Sequence, residues 1–117
     1  MVYVADTWNQ RIQVFREVDG MFVPERMWEI AGWYGQSLDN KPYLAVDDQG
    51  MVFVVDPEGY RVLQFTSQGE FVRYWGDLGN SNETFGMTGS VAIDPQGGVW
   101  VTDTGNSRLM HFNLPQE

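Results

Sequence analysis

The sequence predicts an all-β chain of repeated, antiparallel four-stranded sheets, and three observations carry that prediction. One string recurs in register at Val2-Tyr3-Val4-Ala5-Asp6, Val52-Phe53-Val54-Val55-Asp56 and Val99-Trp100-Val101-Thr102-Asp103, each followed by an Arg and a strand ending in Phe15, Phe65 or Phe112. The recurrence falls at about fifty residues, a period that marks stacked supersecondary units. The apolar residues are β-branched or aromatic, which suits pleated strands, and no stretch has helical periodicity.

Each unit reads as four strands, here a to d. Strand b is the Val-rich string, and both of its alternating positions are apolar, as in Val52 to Val55. Such a strand is expected to be covered on both faces. It ends in an Asp, and turn residues follow: Thr7-Trp8-Asn9-Gln10, Pro57-Glu58-Gly59-Tyr60 and Thr104-Gly105-Asn106-Ser107. Strand c then opens on Arg11, Arg61 or Arg108. The Asp leaves the hairpin where the Arg enters it, so Asp6–Arg11, Asp56–Arg61 and Asp103–Arg108 are expected to pair across the neck.

Strand a precedes the second and third copies, at Tyr43 to Asp47 and Ser90 to Asp94, before Gly-rich tight turns. Strand d follows the second copy from Glu70 to Trp75. After the first copy it is expected over Arg26 to Ala31, behind a hairpin loop six residues longer. The chain thus holds b-c-d in 1–35, a-b-c-d in 43–76 and a-b-c in 90–113, about two and a half propeller blades. The stretches 33–41 and 77–89 read as surface connections.

Composition narrows the function. A 43% apolar, 15% aromatic chain supports a packed core. Its formal charge is −9, and its seven Lys and Arg are scattered, which argues against nucleic acid and anionic lipid surfaces. No apolar run is long enough for a membrane helix, so no membrane insertion is expected. The opening residues do not read as a signal peptide, and any export signal is expected to lie outside this chain. Without cysteine there is no disulfide, thiolate nucleophile or sulfur-ligated zinc.

The candidate sites divide by repetition. The three Asp–Arg pairs recur in every unit, which marks scaffolding. Asp47, Asp48 and Asp94 could face a divalent cation, but their spacing matches no oxygen-ligand loop and their sequences are ordinary turns. His111 is the only histidine and reads as a strand residue. No catalytic residue, metal site or cofactor is expected. Trp28, Tyr74 and Trp75 read as packing on outer strands. Trp8, Trp33 and Tyr34 are the candidate binding residues: loop aromatics supply contact area at low entropic cost. Asn82-Glu83-Thr84 matches a glycosylation acceptor, a triplet common by chance.

The string Val-Tyr-Val-Ala-Asp-Thr-x-Asn-x-Arg-Ile-Gln-Val-Phe, with its preceding Ala-Val-Asp and Ala-Ile-Asp segments, resembles the NHL repeat of β-propellers, in a bacterial-type segment. The resemblance covers nearly the whole chain. It departs at Pro57-Glu58-Gly59, where the Asn of the other copies is missing and the hairpin is expected to be set differently. The resemblance implies a closed propeller, usually six-bladed, that binds protein, RNA or glycan. A minority of relatives are enzymes, including a metal-dependent lyase, and bacterial relatives are often extracytoplasmic. A non-catalytic module binding protein or glycan is therefore expected. The alternatives are part of a metal-dependent lyase or hydrolase, or a self-assembling fragment without activity of its own. The open sheets are expected to be completed by missing blades of a longer chain or by homo-oligomerisation.

Overall fold

The computed structural model describes residues 1–33 and 41–115. The described residues form ten strands: β1 (Val2–Asp6), β2 (Arg11–Val18), β3 (Met21–Glu29), β4 (Leu44–Val46), β5 (Val52–Asp56), β6 (Arg61–Phe65), β7 (Phe71–Trp75), β8 (Thr88–Ile93), β9 (Val99–Asp103) and β10 (Arg108–Phe112). They make three antiparallel meanders, β1-β2-β3, β4-β5-β6-β7 and β8-β9-β10, which are consecutive propeller blades.

Alternation along each strand decides which sheet it meets. Ile12 and Val14 of β2 face the second sheet and pack with Val52, Val54, Leu63 and Phe65. The opposite face of the second sheet, with Phe53, Val55 and Val62, packs on Val91, Val99, Val101 and Met110 of the third. The middle strand β5 is therefore buried over its whole length. The end sheets are covered on one face only, so Val2, Val4, Trp100 and Leu109 remain exposed. Two-sided cover holds for the middle blade alone.

The first hairpin differs from the expected long loop. The additional residues lengthen the strands themselves, with Val18 paired to Met21 across a two-residue turn. Asp19 and Gly20 both have positive φ, 50° and 81°. That is the geometry a tight hairpin demands, and Asp-Gly supplies it at low cost. Strand d of this blade thus begins at Met21, not Arg26, and the turn at Ala31–Trp33 is a short 3-10 helix. The ladder bulges between Val14 and Phe15 and again at the equivalent Gln64 and Phe65. Strand β8 starts at Thr88, two residues before the expected Ser90.

The connection from β7 to β8 is more than a surface loop. Its Phe85 is fully buried in the core between the second and third sheets, stacked edge-on against Phe112 at 5.9 Å. An aromatic inside a Gly- and Asn-rich stretch is masked by its neighbours' polarity.

Candidate functional site

The hairpin between strands b and c is built alike in all three blades. A 3-10 turn spans Thr7–Asn9, Pro57–Gly59 and Thr104–Asn106. Gln10, Tyr60 and Ser107 close it in left-handed conformation, with φ of 57°, 58° and 54°. Below the turn the Arg Nε donates to an Asp Oδ2: Arg11 to Asp6 at 2.8 Å, Arg61 to Asp56 at 2.9 Å and Arg108 to Asp103 at 2.9 Å.

The third partner varies. Asn9 Nδ2 donates to Asp6 Oδ2 at 3.0 Å, and Asn106 Nδ2 to Asp103 Oδ2 at 2.8 Å. In the middle blade Gly59 has no amide side chain, and its backbone N–H donates to Asp56 Oδ1 at 3.2 Å. The hairpin that was expected to be set differently keeps the same backbone and exchanges only the donor. A Cβ at Gly59 would meet the Asp56 carboxylate as it is placed in this hairpin, so the carboxylate would have to shift.

The staples deepen along the chain. The Asp6 side chain is 23% exposed, whereas those of Asp56 and Asp103 are 1% and 0% exposed. Asp103 also accepts from the backbone N–H groups of Gly86 and Met87 at 2.8 and 3.1 Å. Its Arg108 reaches on to the carbonyls of Asn80, Ser81 and Thr84. The third pair thus clips the β7–β8 connection onto the blade. Burial pushes the Asp103 carboxyl up, but Asn106, Met87, Arg108 and Gly86 together hold it below the ordinary value. Asn9 and Arg11 hold the Asp6 carboxyl below the ordinary value too.

The aromatic candidates part company. Trp8 sits at the apex of the first turn and is 75% exposed. The equivalent residues are Glu58 and Gly105. Trp33 is not an exposed contact: it is 1% exposed, wedged between the first and second sheets. Its ring fills the gap that opens where the chain leaves the first blade. Tyr34 lies outside the described residues. Trp28 packs on Phe65 and Trp75 on Phe112, at 5.8 and 5.5 Å. Tyr74 is exposed, with the Arg61 guanidinium 5.5 Å from its ring centroid.

The turn acids hold their own loops. Asp47 Oδ1 accepts from the N–H groups of Gln49 and Met51, both at 2.9 Å. Asp94 Oδ1 accepts from those of Gln96 and Gly98. Its Oδ2 accepts from Trp100 Nε1 at 2.9 Å and lies 3.5 Å from His111 Nε2. Trp100, more than the Gly98 and Gln96 amides, draws the Asp94 carboxyl below its ordinary value. Among the described residues no three His, Asp or Glu side chains are grouped to hold a metal ion.

Sequence reasoning missed the β2–β3 hairpin tip, where Met21 and Phe22 are 68% and 60% exposed. The Asp19-Gly20 pair was the signal for it. Because each sheet is a meander, this tip and the β4–β5 and β8–β9 turns share one rim, and Trp8 stands on the opposite rim.

The third repeat unit matches a known family in sequence. Residues 89–112 match the family model described as NHL repeat. Residues 89–112 form an NHL repeat. NHL repeat-containing protein 3 of Mus musculus is 36% identical over 80 residues, and that of Homo sapiens 34% over 80 residues. The match covers 64% of this chain, and the chain spans only 22% of each relative's length. Among solved structures, a streptogramin B lyase superposes with a TM-score of 0.60 at 15% identity, covering 97% of this chain and 37% of the lyase. An inactive variant of virginiamycin B lyase from Staphylococcus aureus, with quinupristin, gives 0.60 and 15%, covering 98% and 38%. At that identity the likeness is one of fold.

Proposed function

We propose that this chain is a non-catalytic binding module whose loop rims meet a protein or glycan partner, with Trp8 as the anchor. The observation that carries the reading is a large indole, 75% exposed, on a turn fixed by the Asp6–Arg11–Asn9 bonds. A rigid, exposed aromatic offers contact area without much ordering cost. The blade's own packing does not use it, since the equivalent positions carry Glu58 and Gly105.

The bared faces of the end sheets support a second part of the reading. Val2, Val4 and Phe15 of the first sheet occupy the repeat positions of Val52, Val54 and Phe65, which the first blade covers in the second sheet. Further blades of the same kind cover them, in a longer chain or in another copy of this one.

The test is a glycan array and a protein-capture assay on the purified chain, run alongside Trp8→Ala and Trp8→Phe. Retention by the native chain and Trp8→Phe, with a loss of about tenfold or more in Trp8→Ala, is the expected result. Equal retention by Trp8→Ala removes Trp8 from the role.

A further inference from the structure

We propose that the tip of the β2–β3 hairpin is a docking element that enters an apolar pocket rimmed by Lys and Arg on a partner protein. The pairs Arg16–Val23, Glu17–Phe22 and Val18–Met21 carry this hairpin past the level at which the second sheet turns back, at Thr66–Gly69. The tip stands on the rim opposite Trp8 and is independent of that anchor.

Met21 is 68% exposed, Phe22 60% and Val18 37%. For Val18 and Met21 the cause is not an open end of the blade stack. Val18 continues the alternation of Ile12 and Val14 and pairs with Met21, so both lie on the side turned to the second sheet. That sheet is in place, but its strands c and d are five residues each against eight and nine in the first. Apolar side chains held together in water mark a contact surface. The tip is also built in advance. Pairing runs to its last residues, Asp19 and Gly20 supply the positive φ angles of the turn, and Arg16 Nε donates to Glu25 Oε2 at 2.8 Å across the strands. A preformed element loses little freedom on docking, and methionine beside an aromatic ring adapts to the pocket it meets.

Charge selects the partner. Glu17 and Asp19 are exposed beside the apolar residues, and neither has an ion-pair partner among the described residues. Asp47, Asp48, Glu70 and Asp94 make the same rim acidic. A second copy of the chain is therefore a poor host, since its cleft between the second and third sheets sets Asp47, Asp48 and Asp94 against one cation, Arg73. Anionic headgroups are disfavoured for the same reason. A pocket that takes Met21 and Phe22 and presents Lys or Arg to Glu17 and Asp19 matches both the apolar surface and the charge.

The experiment is an amide NMR titration of the full chain with an amphipathic helical peptide of leucine and lysine, with its leucine–glutamate counterpart and with phosphatidylcholine vesicles. The leucine–lysine peptide is expected to bind saturably, with shifts centred on Glu17 to Val23. Met21→Ser with Phe22→Ser leaves the packed core untouched and should weaken binding about tenfold. Glu17→Gln with Asp19→Asn keeps the turn, because Asn-Gly suits it as well as Asp-Gly, and should weaken binding about threefold. Trp8→Ala should bind as the native chain does. The proposal is overturned if the shifts centre elsewhere, if the leucine–glutamate peptide binds equally well, if Met21→Ser with Phe22→Ser binds as the native chain does, or if Trp8→Ala loses binding. Vesicle binding through the same amides would assign the tip to a lipid surface and overturn the protein partner.

Discussion

The indole N–H of Trp33 donates to the backbone carbonyl of Val55 across the boundary between the first and second blades, at 2.9 Å. The donor comes from the turn after β3 and the acceptor from the middle strand of the next sheet. A residue of the connection is thereby fixed to the core of the blade that follows. The bond satisfies the indole's one donor in a dry interface, so the ring can be buried without an unpaired N–H.

Trp33→Ala should therefore destabilise the chain by about 3–5 kcal/mol, since a large cavity opens and the Val55 carbonyl loses its indole donor. Trp8→Ala should change stability by less than about 0.5 kcal/mol, because its side chain packs on so little. Urea denaturation followed by far-ultraviolet circular dichroism measures both. Equal effects would show that exposure misreports the role of one of them.

The Asp–Arg staples should differ in worth with their burial. Asp103→Ala leaves Arg108, Asn106 and two backbone N–H groups facing an empty site, a loss of about 3 kcal/mol or more. Asp6→Ala removes a half-solvated partner and should cost about 1 kcal/mol. Denaturant midpoints of the two variants decide the order. The reverse order would mean that the clipped β7–β8 connection contributes little to folding.

Acid should weaken the fold through the same carboxylates. Asp6, Asp94 and Asp103 all titrate below their ordinary value in the folded chain. A group with a lowered folded value contributes stability that is complete above its unfolded value, about 3.9 for Asp, and is lost as pH falls through the folded one. The urea midpoint should hold from pH 7 to about 5 and drop below about 4. Asp103→Asn should flatten that drop. A midpoint that falls as steeply in Asp103→Asn would place the acid sensitivity elsewhere.

The tight turn of the first hairpin predicts a local effect. Gly20 has φ of 81° and open space around a would-be Cβ. Gly20→Ala should thus cost only the backbone penalty, about 1 kcal/mol. Gly59→Ala should cost more, because the added carbon meets the Asp56 carboxylate. Hydrogen exchange of the β2–β3 amides should rise in Gly20→Ala, with the second and third sheets unchanged.

Light scattering over a concentration series tests the bared end faces. A stable oligomer, abolished by Val4→Lys or Leu109→Lys, would show copies of the chain covering one another's faces. Both side chains are exposed, at 38% and 62%, so neither change disturbs the packed core. A monomer at all concentrations would remove self-association.

The sequence by itself determined the fold class, the strand order and the hairpin staples. A string repeated in register carries the same local chemistry to each blade, so the Asp, the turn and the Arg read out directly. Other features depended on contacts between segments distant in the chain. Trp33 and Phe85 sit in polar connections, and only the packing of neighbouring sheets turns them into core. The longer β2–β3 hairpin followed from two positive φ angles at Asp19 and Gly20, a turn legible in the residues yet easily read as an extended loop. The same tertiary packing left Trp8 and the β2–β3 tip in solvent. Burial is a property of the assembled sheets. A repeat fixes which residues share a face, and the neighbouring blade decides which of those faces water still reaches.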